Sequence, residues 1–299
     1  MSSLGDVAVS AARTIPPVPR ARAVQGGVFK FGLFLCLAFG VVALGTLLVD
    51  IVQTGLPRLN AQLFENFPSP SPRRAGAQSA IVGTLWVIAL TALFTVPLGV
   101  ATAIYLEEYA DERRWYNRLL AANIQNLAAV PSIIYGILAL GFLVRGIGLG
   151  PTVLAGALAL TLLVLPIVIL ASREALRTVP RGIRQGAFAL GATQWQVVSR
   201  QVLPAAIPGI ATGTILALSR AIGEAAPLLL VSGITFITFN PTGLGSSFTV
   251  LPLQIYNWVT RPQAEFGVLA AAAIMVLLGI LLVLNSAAIA LRNRFQKRW

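Results

Sequence analysis

Of 299 residues, 57% are hydrophobic and 11% charged, against about 25% charged in an ordinary soluble domain, which excludes water as the main solvent of this chain. The net charge of +12 does not signal nucleic acid, because the basic residues sit at the edges of long apolar runs and not among polar and aromatic positions. There is no histidine, and the single cysteine, Cys36, lies inside an apolar run, so the commonest general base, an intrachain disulfide and a cysteine metal cluster are all excluded.

In chain order, residues 1–27, with Pro16, Pro17 and Pro19 among Ala and Arg, have no apolar period and read as a flexible cytoplasmic tail. Residues 28–299 read as one membrane domain. A hydrocarbon core about 30 Å thick needs roughly 20 apolar residues in a helix. Six stretches meet that requirement, near 31–49, 79–106, 119–144, 152–171, 208–232 and 267–291. The expected fold class is therefore all-α, a polytopic membrane protein with six transmembrane helices.

The first stretch is longer than the apolar core of a signal peptide, and Leu47 to Ile51 offers no small-residue cleavage pattern, so it reads as a retained span. Pro68-Ser69-Pro70-Ser71-Pro72 reads as a linker in the first loop. In the last, long loop, Gly233 to Glu265, Tyr256 and Trp258 fit an aromatic group at the membrane surface.

Positively charged loops stay cytoplasmic. One set of connections carries Arg13, Arg20, Arg22 and Lys30; Arg113, Arg114 and Arg118; Arg173, Arg177, Arg181, Arg184 and Arg200; and Arg292, Arg294, Lys297 and Arg298. The alternate set holds only Arg58, Arg73, Arg74, Arg145 and Arg261. Both termini are thus expected in the cytoplasm, with the chain in the inner membrane.

The cytoplasmic loop 172–207 is the longest on its side and is not linker-like. Gly191 separates Gly186-Ala187-Phe188-Ala189-Leu190 from Ala192-Thr193-Gln194-Trp195, and Leu203-Pro204 closes the segment. Two short helices joined at a glycine are expected, since a small residue lets a helix end approach another backbone. Phe188, Leu190 and Trp195 offer apolar anchors for a partner's groove. An amphipathic hairpin lying on lipid accounts for the same pattern.

The segment from Gln185 to Pro204 resembles the loop of ATP-binding-cassette importer permeases, a pattern of Glu-Ala-Ala, three residues, Gly, nine residues, Ile, one residue, Leu-Pro. Ala187, Gly191, Leu203 and Pro204 match it; Gln185 stands for the Glu, Gly186 for the first Ala and Gln201 for the Ile. A glutamine can hydrogen bond there but cannot make a charged contact. The runs Asn126 to Gly136, Ala217 to Leu228, Gln254 to Trp258 and Arg261-Pro262-Gln263 resemble the PstA-type permease family of phosphate-specific importers, from about Thr84 to the C-terminus.

That resemblance implies a type I importer-permease architecture in which loop 172–207 couples to an ATPase. It implies four kinds of partner: a homologous PstC-like permease, PstB-like ATPase subunits, an extracytoplasmic PstS-like phosphate-binding protein, and membrane lipid. ATP would be bound by the partner and no cofactor by this chain, whose only lysines, Lys30 and Lys297, follow no glycine-rich loop. The implied cargo is inorganic phosphate, with an importer of another oxyanion such as sulfate or molybdate, or a secondary anion transporter, as alternatives.

Arg220 and Glu224 are the basic and acidic residues placed well inside a predicted span. Four residues apart, they share a helix face and partly neutralise each other. Counted from Pro208 at 1.5 Å per residue, they lie about 18 and 24 Å deep. Pro227 cannot donate to the carbonyl of Gly223, so the helix should bend or open beside the pair. Two uses remain open. An ion pair can fix helix packing, or Arg220 can offer its guanidinium fork to a passing oxyanion while Glu224 holds or loosens it. Asn123, Gln125, Asn126, Ser132 and Tyr135 could line the same path or hydrogen bond between helices.

Overall fold

The computed structural model describes residues 20–111, 113–232 and 236–295, and its regular structure is helical apart from one antiparallel bridge between Thr152 and Ser247. The chain divides into two units, residues 1–50 and 51–299. The first contains most of α1 (Arg20–Gly55), whose apolar side chains from Val28 to Val49 are exposed, as lipid contact requires. This helix begins before the predicted span: residues 20–27, assigned to a flexible tail, are helical, because Arg and Ala are strong helix formers even where they are too polar to cross a membrane. Residues 1–19 of that predicted tail, with Arg13, lie outside the described residues, as do Lys297 and Arg298.

In the second unit, a 3₁₀ turn and α2 (Ala61–Glu65) open a packed corner. Asn60 caps α2 by accepting from the Leu63 amide at 3.3 Å, Ala77 N–H donates to the Leu63 carbonyl at 2.7 Å, and the Arg58 guanidinium donates to the Pro72 carbonyl. Leu63, Ala75 and Ala77 share a core with Trp258, Phe266 and Leu269. The proline-serine run is therefore an ordered corner and not a linker; proline's fixed φ shapes the backbone here. Trp258 is also buried, which corrects its expected place in a surface aromatic group, whereas Tyr256 is exposed.

The long helix α3 (Gln78–Ile104) ends in a wide π turn, Tyr105–Tyr109. The predicted third span is not one helix: α4 (Trp115–Ala128) and α5 (Ser132–Leu138, extended by wide turns to Gly146) meet at 108°. Pro131 lacks an N–H and pushes Val130 out of helical backbone, and the Tyr135 hydroxyl donates to the Leu127 carbonyl at 2.7 Å across the break. Among the described residues, five helices are long and apolar enough to cross a membrane, and the bent pair makes a sixth span if it crosses as one.

The most buried span is α6 (Val153–Arg177), capped by Thr152, whose hydroxyl accepts from the Ala155 amide. After it come α7 (Arg181–Ala189), α8 (Gln194–Val197), a π turn Val198–Val202, α9 (Leu203–Gly223), α10 (Ala226–Ser232), α11 (Leu251–Val259) and α12 (Ala264–Phe295). Both α3 and α9 run along α6. Small residues permit the close approach: Gly99 faces Val168, Gly209 faces Ala175 and Gly213 faces Ala171, each with no room for a methyl group. At one end of this unit the 152–247 bridge and residues 236–262 pack together. The opposite end gathers the turn after α3, the C-terminus of α6, and α7 and α8.

At the first of these ends, a Cβ on Gly83 would collide with the Thr249 carbonyl oxygen, beside the point where the Leu251 amide donates to Thr84 Oγ1 at 2.8 Å. Gly83→Ala should therefore destabilise the purified protein by about 1–3 kcal/mol, read as a lower thermal midpoint in detergent. Gly279→Ala, whose Cβ would meet nothing within 4 Å, should not; equal losses would refute this packing account.

Candidate functional site

Loop 172–207 folds as predicted into two short helices, α7 and α8, joined at Gly191. The join is a Schellman motif: Gly191 N–H donates to the Phe188 carbonyl at 2.9 Å and Ala192 N–H to the Ala187 carbonyl at 3.2 Å. Gly191 has φ +82°, and a Cβ there would meet nothing within 4 Å. Glycine is thus required by left-handed backbone and not, within this chain, by close approach. Thr193 and Gln196 form a reciprocal capping box that starts α8.

Gln185 and Gly186 are exposed on α7, while Ala187 is half-buried against the core formed by Leu106, Leu176 and Val197. Leu190 is 90% exposed, Trp195 63% and Phe188 49%, a set of apolar side chains turned away from the chain's own core. Leu203 and Pro204 do not end the segment, as was expected. They open α9, and the π turn at Val198–Val202 accommodates the missing amide of Pro204, so that the helical path runs from Gln194 to Gly223.

Residues 220–224 form the second predicted feature. Arg220 Nε donates to Glu224 Oε1 at 3.2 Å, with the arginine side chain 49% exposed and the glutamate 16%. The helix opens where Pro227 predicts: α9 ends at Gly223, Glu224 is extended, and α10 resumes at Ala226. The pair therefore lies at the C-terminal end of α9 and not midway along an unbroken span. Counted from Leu203, Arg220 is about 26 Å along the helix. A Cβ on Gly136 would strike Pro227, so α5 packs directly on the broken segment. Ser219 Oγ bonds Asn285 Oδ1 at 2.6 Å, and Arg292 Nη1 donates to Thr212 Oγ1 at 3.0 Å, which fastens α9 to α12. Asn123, Gln125 and Asn126 are exposed on α4, Ser132 is half-buried, and Tyr135 is buried in the α4–α5 link.

Sequence reasoning missed Glu107 and Glu108 in the π turn after α3. Glu107 pairs with Arg173 at 3.4 Å and Arg177 at 2.9 Å on α6, and Glu108 pairs with Arg184 of α7 at 2.6 Å. Their side chains border an open cleft of about 660 Å³ that also reaches Gln185 and Phe188. The available signal was two adjacent carboxylates, in a chain with ten acidic residues, opposite the arginine-rich loop.

Spanning helices, one of them opened beside an ion pair, together with a structured helix pair on the basic end, fit the membrane subunit of a transporter. The chain belongs to the family of binding-protein-dependent transport system inner membrane components, whose model matches residues 95–295. It is thus an inner-membrane permease component of a transporter that works with an ATPase and a substrate-binding protein.

Among its relatives, a probable ABC transporter permease protein, YqgI of Bacillus subtilis, is 32% identical over 86% of this chain and 92% of its own length. The phosphate transport system permease protein PstA of Yersinia pestis is 33% identical over 86% and 87%, respectively. PstA 1 of Mycobacterium tuberculosis H37Rv is 34% identical over 75% and 71%. The fold is similar to that of a bacterial alginate ABC transporter chain, with TM-score 0.68 and 17% identity over 92% of this chain and 98% of that one. It is also similar to a chain of the MetNI methionine ABC transporter, with TM-score 0.57 and 19% identity over 72% and 95%.

Gly191→Val should loosen the α7–α8 hairpin by about 1–2 kcal/mol, because a β-branched residue resists positive φ. Limited trypsin digestion should then cut faster at Arg181, Arg184 and Arg200, whereas Gly191→Asn should stay near wild type. Equal cleavage of all three proteins would refute the glycine requirement.

Proposed function

We propose that this chain is the PstA-type permease subunit of a phosphate importer, carrying inorganic phosphate across the cytoplasmic membrane while a partner hydrolyses ATP. The observation that carries the cargo assignment is the alignment, over 86% of the chain, with a relative named for phosphate transport. A PstC-like permease would complete the pore, a PstS-like protein would deliver phosphate, and PstB-like ATPases would dock on α7 and α8. Both termini would be cytoplasmic, a reading supported by the arginine-rich loops sharing one end.

In this reading Leu190, Trp195 and Phe188 enter a groove on the ATPase, presented by the Gly191 turn, with Gln185, Gly186 and Ala187 on the preceding helix and Leu203-Pro204 carrying the motion into α9. The membrane-embedded ion pair is the substrate-path element. The described hydrogen bond to Glu224 uses Arg220 Nε, so the Nη edge of the fork can receive a phosphate oxyanion. Glu224 then opposes over-tight binding, because a carboxylate beside the fork competes with the anion.

Uptake of radiolabelled phosphate, with sulfate as control anion, tests both parts in cells carrying the wild-type chain, Arg220→Gln or no copy, and lacking any second phosphate importer. Loss of one charged hydrogen bond to the passing anion should lower uptake by at least about tenfold, with the variant still in the membrane. Unchanged phosphate uptake in the null strain would refute the cargo. Normal uptake by Arg220→Gln would confine that arginine to packing.

A further inference from the structure

Helix α7 has no fully buried side chain; its Ile183 and Phe188 are exposed, and so is Leu190 just past its end. Packing alone therefore gives it a weak grip on the rest of the protein, yet a docking helix must pass its displacement to the spans. The strong polar connections of α7 and α8 converge on one residue outside loop 172–207. Arg184 Nη2 donates to Glu108 Oε1 at 2.6 Å, and Arg184 Nε lies 3.3 Å from both carboxylate oxygens. From α8, the Gln194 side-chain amide donates to the main-chain carbonyl of the same Glu108.

Arg184 also donates from Nη1 to the Val179 carbonyl at 2.6 Å and from Nη2 to the Leu176 carbonyl at 2.9 Å, which ties α7 to the end of α6 as well. Glu108 and Arg184 side chains are only 10% and 19% exposed, so water competes weakly for the pair. The π turn makes this convergence possible. Ala110 N–H reaches back to the Tyr105 carbonyl at 2.8 Å, and the widened turn sends the adjacent carboxylates to different partners. Glu107 goes to Arg173 and Arg177 of α6; Glu108 goes to the docking helices.

We propose, building on the docking reading above, that Glu108 is a positioning residue for transport: the node through which movement of α7 and α8 is passed to α3. Without it the docking helices would still meet the ATPase and α8 would still lead into α9, but their displacement would not reach α3.

The test uses the assembled importer in proteoliposomes, measuring ATP hydrolysed per phosphate delivered, with an Ala189→Cys cross-link to the ATPase reporting docking in a Cys36→Ala background; Ala189 is exposed beside the docking anchors. Glu108→Gln preserves size and removes the charge. It should keep the cross-link at wild-type yield while raising the ATP-to-phosphate ratio about tenfold. Glu107→Gln removes a charge from the same turn without touching the docking helices and should keep the wild-type ratio.

A wild-type ratio for Glu108→Gln with the cross-link intact overturns the proposal and leaves docking standing. The same rise in both glutamine variants overturns it too, by assigning the effect to the turn's charge. Absence of the cross-link in the otherwise wild-type complex removes docking and this proposal together. Should Glu108→Gln fail to reach the membrane, Gln194→Ala, which cuts only the surface link from α8, must raise the ratio about twofold; an unchanged ratio then overturns the node.

Discussion

A helix that breaks inside a bilayer leaves backbone N–H and C=O groups that hydrocarbon cannot satisfy, so every break must be placed against protein or a wet path. Among the described residues such breaks occur at Val130-Pro131 and at Glu224-Ala225, and they lie on neighbouring elements: α5 packs on α10 where Gly136 meets Pro227. The Tyr135 hydroxyl supports the first break by donating to the Leu127 carbonyl. At the second, Glu224 takes the capping position and is joined to Arg220. The irregular backbone, the intramembrane charges and the close glycine contact are thus parts of one local solution.

At the arginine-rich end the problem is different, because water is available and helices need only be held in place. Five arginines in loop 172–207 would repel one another if left alone. Glu107 and Glu108 take three of them, Arg173, Arg177 and Arg184, into ion pairs that join α3, α6 and α7. Arg181 and Arg200 remain exposed. The same basic residues that mark this loop as cytoplasmic in the sequence therefore also build it, through their ion pairs.

Features with a local physical cause were legible in the sequence. Apolar runs of bilayer length gave the spans, Pro227 gave the opening after Gly223, and Gly191 gave the turn between α7 and α8. Features that depend on residues far apart in the chain were not. Nothing near Pro68 to Pro72 announces that the residues flanking it, Leu63, Ala75 and Ala77, pack with Trp258 and Phe266, and nothing near Pro131 distinguishes a kink from a 108° corner. The start of α1 was misplaced because hydropathy measures what tolerates lipid, while helix formation by Arg and Ala continues into water. The roles of Glu107 and Glu108 were hidden for a similar reason, since their arginines lie some seventy residues downstream.

The Schellman turn and the capping box have a thermodynamic consequence for complex formation. Each closes one side of the α7–α8 hairpin with its own hydrogen bonds, so the backbone that presents Leu190 and Trp195 is already ordered in the single chain. A flexible loop of this length would surrender much of its freedom on meeting a partner, and that loss would subtract from affinity. Here the cost is met when the chain folds, and burial of two or three exposed apolar side chains can appear almost entirely as slower dissociation.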